Sequence, residues 1–125
     1  MKDWRTAVYN ALIGDSELLT LLEYVDGRED KKIYVDRPDN VDIDAKIPCL
    51  IVRIEGISPA VSGDEDVLAS ECEVRVYAFT RDSIKDIFDR VISVFRTNFV
   101  SHISTISFTK LDDGIEYGEG VFILK

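Results

Sequence analysis

The chain has 125 residues, with 24 acidic and 15 basic side chains and a formal net charge of -9. This length fits one domain, residues 1–125, which can bury a core without metal or disulfide staples. The acidic balance argues against a basic reader of nucleic acid and against docking on an anionic membrane. No apolar run reaches the roughly 18 residues that would span a bilayer. The first residues lack the apolar core of a signal peptide, so we expect a cytoplasmic protein.

The chain opens on two predicted helices. Apolar side chains recur at helical spacing over residues 3–13. Gly14 is expected to end this helix in the left-handed conformation. Asp15 or Ser16 then caps a short, leucine-rich helix that runs through Leu22.

The middle of the chain predicts strands that are separated by two flexible polar loops. Residues 33–35 form a short strand-like run, and residues 36–46 form the first loop. Residues 47–55 and 68–80 alternate apolar and polar side chains, which is typical of strands with one buried face. We expect them to pair as an antiparallel hairpin around the second loop, residues 56–67.

The clearest helix is predicted over residues 82–99, where apolar side chains follow the i, i+3, i+4, i+7 pattern. Thr80 or Asp82 is expected to cap its N-terminus. Asp86 and Arg90 are spaced to form an i, i+4 ion pair along it.

Two more strands, residues 103–109 and 115–124, flank a turn signal at Asp112–Gly114. The predicted order of elements is α-α-β-β-β-α-β-β. This order indicates an α+β fold, in which an antiparallel sheet is packed by an N-terminal helical segment and one long amphipathic helix.

The sequence holds no motif that we can assign to catalysis or to a cofactor. His102 is the single histidine and is interpreted as a solvated turn residue. Cys49 and Cys72 are more typical of small buried hydrophobic residues than of a disulfide or a zinc site. Gly118 and Gly120 interrupt a strand pattern, which indicates a bulge or a close backbone approach rather than a phosphate loop. We therefore predict no enzyme activity, no cofactor and no metal site.

Acidic side chains concentrate in the predicted loops and in the last strand. The run at residues 64–66 could hold a divalent cation, but it lacks the ligand spacing of an EF-hand. Asp112 and Asp113, with Glu71 and Glu73, could imitate a nuclease site, but no spacing fixes that geometry. Such runs also serve solubility alone. The candidate assembly or lumen residues are Asp64, Glu65, Asp66, Asp112, Asp113, Glu116 and Glu119.

Four segments carry a resemblance to a known family. They are the stretch Ala11–Leu19, the run Ile33–Val35, the proline-led strand Ile47–Val52, and Cys72–Ala78, which precedes Thr80 and an amphipathic helix. Over nearly its whole length the chain resembles the tail-completion or tail-terminator (head–tail joining) proteins of long-tailed bacteriophages and prophages.

This resemblance implies a structural subunit that caps the head-proximal end of a phage tail tube as a hexameric ring and helps join tail to head. The implied partners are the tail tube protein and a head-completion protein. The implied locations are the host cytoplasm during assembly and then the virion tail. A subunit that is monomeric in solution is compatible with the role. The family has no catalytic residues, and its contacts are poorly matched between members, so no binding residue is carried over.

The acidic charge has two interpretations beyond solubility. In a ring, carboxylates that line the lumen would repel DNA and let it pass without adhering. Alternatively, the chain is an acidic decoy that occupies a DNA-binding protein. A small metal-dependent nuclease is the third hypothesis for the function, and it requires activity that depends on Mg²⁺ and is lost when Asp112 or Asp113 is replaced.

Overall fold

The computed structural model describes residues 3–36, 46–59, 70–111 and 113–125. The predicted α+β class and the predicted order of elements are confirmed. The elements are α1 (Trp4–Ile13), α2 (Ser16–Leu21), β1 (Ile33–Val35), β2 (Cys49–Pro59), β3 (Ser70–Thr80), α3 (Ile84–Asn98), β4 (Ser101–Lys110) and β5 (Glu116–Leu124).

The five strands form one sheet in the order β1-β2-β3-β5-β4, which leaves β1 and β4 at its two edges. The pairs β2–β3, β3–β5 and β4–β5 are antiparallel, and the predicted hairpin of β2 and β3 is confirmed. β1 runs parallel to β2, so the sheet is mixed rather than wholly antiparallel. A parallel neighbour needs a connection of about a dozen residues, and the chain between Val35 and Cys49 supplies one.

The helices cover one face of the sheet, and among the described residues no helix covers the other face, which we call the open face. Every second residue of the central strands points toward the helices and is buried, as the alternation in the sequence predicted. Phe95 of α3 meets Phe122 of β5 edge-on, with ring centroids 5.0 Å apart. The large side chains at the centre of this core are Trp4, Phe88, Phe95, Phe122, Leu12, Leu18, Leu22 and Leu50.

Two glycines in β5 allow α3 to lie close to the sheet. A Cβ atom on Gly118 would stand 2.4 Å from Cε2 of Phe88 and 2.9 Å from Cγ1 of Ile84. A Cβ atom on Gly120 would stand 2.9 Å from ring carbons of Phe88 and Phe122. Real Cβ atoms do not approach other atoms so closely, so the predicted close approach at these glycines is confirmed.

The helix ends differ in part from the prediction. Asp15 is the N-cap of α2, as predicted, and its carboxylate accepts a hydrogen bond from the Leu18 N–H at 3.1 Å. Gly14 does end α1, but with φ at -75° it is right-handed and not left-handed. The next helix begins at Ser16, so the chain turns directly from one cap into the next.

The N-cap of α3 is Ser83 and not Thr80 or Asp82. The Ser83 hydroxyl accepts a hydrogen bond from the Asp86 N–H at 3.3 Å. Thr80 instead accepts a bond from the Asp82 N–H at 3.1 Å, in the turn that precedes the helix. A serine three residues before an acidic side chain is a common start of a helix, so the sequence did carry this signal.

One segment predicted as loop and one residue predicted as turn belong to strands in the structure. Residues 56–59 continue β2, because a change of register between Ile54 and Gly56 absorbs the irregularity and pairing with β3 resumes. His102 lies in β4 opposite Ile123 and is exposed. The interpretation of His102 as a turn residue was therefore wrong, although its solvent exposure is confirmed.

The two cysteines lie inside the protein, as the sequence indicated. Both Cys49 and Cys72 are buried. Burial raises the pKa of the Cys72 thiol to about 11, so this side chain behaves as a small apolar group at neutral pH.

Candidate functional site

The structure describes three of the seven predicted acidic site residues, and it does not gather these three at one place. Asp64, Glu65, Asp66 and Asp112 lie outside the described residues. Asp113 is exposed in the turn before β5, where its carboxylate accepts a hydrogen bond from the Ile115 N–H at 3.2 Å. Since side chains alternate along a strand, Glu116 and Glu119 lie on opposite faces of β5.

Glu116 and Glu119 each have a partner within the chain. Glu116 lies on the helix side of β5, and its carboxylate accepts a hydrogen bond from the Ile84 N–H at 3.0 Å. A carboxylate at that place supports the first turn of α3 through the helix dipole. Glu119 lies on the open face, where it pairs with Arg75 and accepts a hydrogen bond from the Tyr117 hydroxyl at 3.2 Å. Whether these residues line a lumen stays a prediction.

An ion triad crosses the open face of the sheet. Arg75 of β3 pairs with Glu119 of β5 on one side and with Glu55 of β2 on the other, where Nε and Oε1 are 3.2 Å apart. The hydrogen bond to Glu119, together with the nearby negative charges, raises the pKa of Arg75. Three neighbouring strands are thus joined by charged side chains on a face that no helix in the described part of the chain covers.

Aromatic side chains lie beside this triad on the same open face. The rings of Tyr77 and Tyr117 stack with their centroids 6.3 Å apart, and Phe79 lies 5.0 Å from Tyr117. All three side chains are partly exposed. Burial raises the pKa of Tyr117 to about 12, with the neighbouring Glu119 charge acting in the same direction. Tyrosine, phenylalanine and arginine are enriched at protein interfaces, so this composition is typical of a contact surface.

The edge strand β4 exposes apolar side chains. Of the six large hydrophobic residues that are exposed among the described residues, four lie in or directly beside this strand. They are Val100 (63% exposed), Ile103 (41%), Phe108 (47%) and Leu111 (42%). An edge strand that carries apolar side chains and few charges is a template for pairing with another chain.

Sequence reasoning missed the importance of this strand, although a signal was present. None of the 24 acidic residues lies in the 22-residue stretch from Arg90 to Leu111, which holds three basic residues and His102. In so acidic a chain, a long segment without carboxylates marks a surface of different chemistry. The segment covers most of α3 and the whole of β4.

Arg90 of α3 connects this helix to α2 and to the N-cap of α2. Its guanidinium donates two hydrogen bonds to Asp15, at 3.0 and 2.7 Å, and its Nη1 lies 3.3 Å from Glu17. The hydrogen bonds from Arg90 hold the pKa of Asp15 below its ordinary value. The predicted pair of Asp86 with Arg90 is therefore wrong, because Arg90 is engaged by α2 and its N-cap. The i, i+4 pair of α3 joins Lys85 to Asp89 at 2.8 Å.

A cleft of about 310 Å³ lies between α1 and α3 beside this contact. Its polar lining includes Asn10 and Asn98. It also includes Asp15 and Arg90, which form an ion pair with each other. Among the described residues, no group of three or more histidine, cysteine, aspartate or glutamate side chains could hold a metal ion. No helix in residues 3–36, 46–59, 70–111 and 113–125 is long and apolar enough to cross a membrane.

Comparisons with known proteins give matches among solved structures. No family model and no curated protein matches the chain. Among solved structures, the chain is similar to a chain of the virion of a native gene transfer agent particle, with a TM-score of 0.48 and 13% sequence identity. The similarity covers 97% of this chain and 92% of the other. Similarity at this level does not assign the chain to a family.

Proposed function

We propose that this protein is a structural virion assembly protein that caps the head-proximal end of a phage tail tube and helps join the tail to the head. The proposal starts from the resemblance of its sequence to the tail-completion proteins. It includes a hexameric ring, the tail tube protein and a head-completion protein as partners, and no catalytic role.

The observation that carries the proposal is the one-sided build of the molecule. Helices cover one face of the sheet, while the other face presents the Arg75 triad and the ring cluster of Tyr77, Phe79 and Tyr117. A small assembly subunit needs a rigid body with contact surfaces outside its own core. The buried core on the helix side supplies rigidity, and the open face with the β4 edge supplies contacts.

Deletion of the gene from the particle genome that encodes this chain tests the proposal. We expect particles without the protein to show tails of abnormal length that do not join heads, because nothing stops tube growth or offers the head a docking surface. Electron microscopy of negatively stained lysates measures both effects. Supplying the wild-type chain in trans should restore tails of uniform length on filled heads. Normal, joined tails in its absence would contradict the proposal.

The lumen prediction needs a separate test, because three of the candidate residues, Asp113, Glu116 and Glu119, have structural contacts. Reversing Glu116 or Glu119 to lysine would remove a helix contact or the Arg75 pair. Loss of function would then not isolate the effect of charge. Lysine at residues 64–66 leaves those three contacts in place, and it should hinder DNA passage while tails still form. Fully infectious particles from every such variant would count against a lumen lined by these carboxylates.

A further inference from the structure

Within the described residues, β4 is an edge strand, and one side of its backbone pairs with no other strand. Val100 exchanges two backbone hydrogen bonds with Lys125, and the Leu111 N–H donates to the Ile115 carbonyl at 2.7 Å. In an antiparallel pair, residues alternately face the neighbouring strand and face away from it. Counting back from Leu111, the amide and carbonyl groups of Lys110, Phe108 and Ile106 point away from β5 and toward solvent.

The stretch of β4 that follows its irregularity is the usable part. The register with β5 shifts between Ile103 and Thr105 and is then regular to Lys110. A bulge protects an edge locally, but the regular residues beyond it keep an extended, pairable backbone. Phe108 lies at the centre of the outward-facing groups of this stretch and is 47% exposed. One side of its ring packs on Phe88 with centroids 5.5 Å apart, which holds the ring at the edge.

Charge selects a second copy of this chain as the partner. Two molecules of net charge -9 repel wherever carboxylates meet. The stretch from Arg90 to Leu111 has no carboxylate, so two copies can meet there without acidic side chains facing each other. Antiparallel pairing about Phe108 places each Phe108 opposite its counterpart and each Ile106 opposite Lys110, and it uses every outward-facing group of the stretch. A two-fold contact requires a self-complementary surface of this kind.

We propose that β4 pairs with β4 of a second copy in a two-fold, antiparallel contact centred on Phe108, so that two five-stranded sheets become one. This contact does not rest on the tail-capping role. If the role holds, the dimer is a soluble form in which the apolar edge is covered, and assembly has to separate it before the edge can meet another neighbour.

Sedimentation of the full chain, with two matched lysine variants, tests the contact. We expect the wild type to dimerise with a Kd below about 100 μM, a weak affinity that sedimentation can still measure. Phe108→Lys should weaken dimerisation at least about 30-fold, the loss typical when an interface aromatic is removed. Ile57→Lys changes an aliphatic side chain of similar exposure (39%) on β2, and it should dimerise like the wild type.

Two further variants keep the test decisive if Phe108→Lys folds poorly. Leu111→Lys replaces a 42% exposed side chain at the end of the same edge and should also weaken dimerisation. Phe108→Cys should give a disulfide-linked dimer under mild oxidation, because paired residues that face each other across two strands have Cα atoms about 5.5 Å apart. The native thiols are buried and do not compete.

The outcomes separate this contact from the tail-capping role. A wild type that stays monomeric at about 300 μM would overturn the dimer, because a Kd below about 100 μM makes most of the chain dimeric at that concentration. A larger oligomer, with no disulfide-linked dimer formed by the Phe108→Cys variant, would overturn the two-fold pairing and would support a ring instead. Dimers that persist in Phe108→Lys and Leu111→Lys would place the contact elsewhere and overturn the proposal. None of these outcomes bears on tail length in the deletion experiment.

Discussion

Replacing Gly118 with alanine should destabilise the protein through overpacking between β5 and α3. The new methyl group would lie 2.4 Å from Cε2 of Phe88, which is 1% exposed and packed in the core. The ring can only move by displacing its neighbours, including Phe108, which it contacts edge-on. Overpacking of this kind costs about 1–3 kcal/mol.

The expected change in melting temperature follows from the size of the chain. An unfolding entropy of about 2.1 cal/mol/K per residue gives about 0.26 kcal/mol/K for 125 residues, or about 4 °C per kcal/mol. Gly118→Ala should therefore lower Tm by about 4–12 °C. Differential scanning calorimetry measures this directly, and urea unfolding gives the free energy of unfolding independently.

A matched glycine and a double variant separate overpacking from other effects of alanine. Gly56 also lies in a strand, but a Cβ atom there would meet nothing within 4 Å. Gly56→Ala should leave Tm unchanged or raise it slightly, because glycine weakens a strand by about 0.5–1 kcal/mol relative to alanine. In a Phe88→Leu background, Gly118→Ala should cost at least about 1 kcal/mol less than in the wild type. A Gly118→Ala protein as stable as the wild type would refute the close approach of α3 to β5.

Three other measurements test the helix contact, the thiols and the open face. Asp15→Asn should lower the free energy of unfolding by about 1 kcal/mol at pH 7, because asparagine can still cap the helix but loses the negative charge that pairs with Arg90. The hydrogen bonds from Arg90 lower the pKa of Asp15 in the folded state. The difference in stability between wild type and variant should therefore shrink as the pH falls from about 4 through this lowered pKa. Urea unfolding measures the difference, and equal values at pH 3 and pH 7 would count against the contact. Cys49 and Cys72 should react with a thiol reagent only after unfolding in guanidinium, and rapid labelling of the native protein would contradict their burial. Arg75→Met should cost less than about 1 kcal/mol, because the pairs of Arg75 are about a third exposed; a larger loss in thermal unfolding would mean that the triad holds the sheet together.

Local patterns in the sequence predicted the elements and the buried faces. Alternation in β2 and β3 placed Leu50 and Val76 in the core, because side chains of a strand point to opposite faces by covalent geometry. The glycines of β5 were predicted to mark a bulge or a close backbone approach, and the geometry at Gly118 shows the close approach. These features depend on the nearest neighbours along the chain, so a single sequence is sufficient to predict them.

Features that depend on tertiary contacts could not be predicted. Arg90 has an acidic residue at i-4, but it pairs with Asp15, which is 75 residues away. Glu116 reaches the first turn of α3 across 32 residues. The edge position of β4 follows from the strand order, in which β5 and not β4 pairs with β3. Only that order turns Phe108 from an ordinary core-face residue into an exposed one.

The location of the protein in the particle is the most direct test of its proposed role. Cryo-electron microscopy of purified virions, or immunogold labelling of an epitope-tagged chain, shows where the protein lies. We expect a ring of this chain between the tail tube and the head, at the head-proximal end of every tail. Absence from mature particles, or labelling along the tube or at the distal tip, would contradict the tail-capping role.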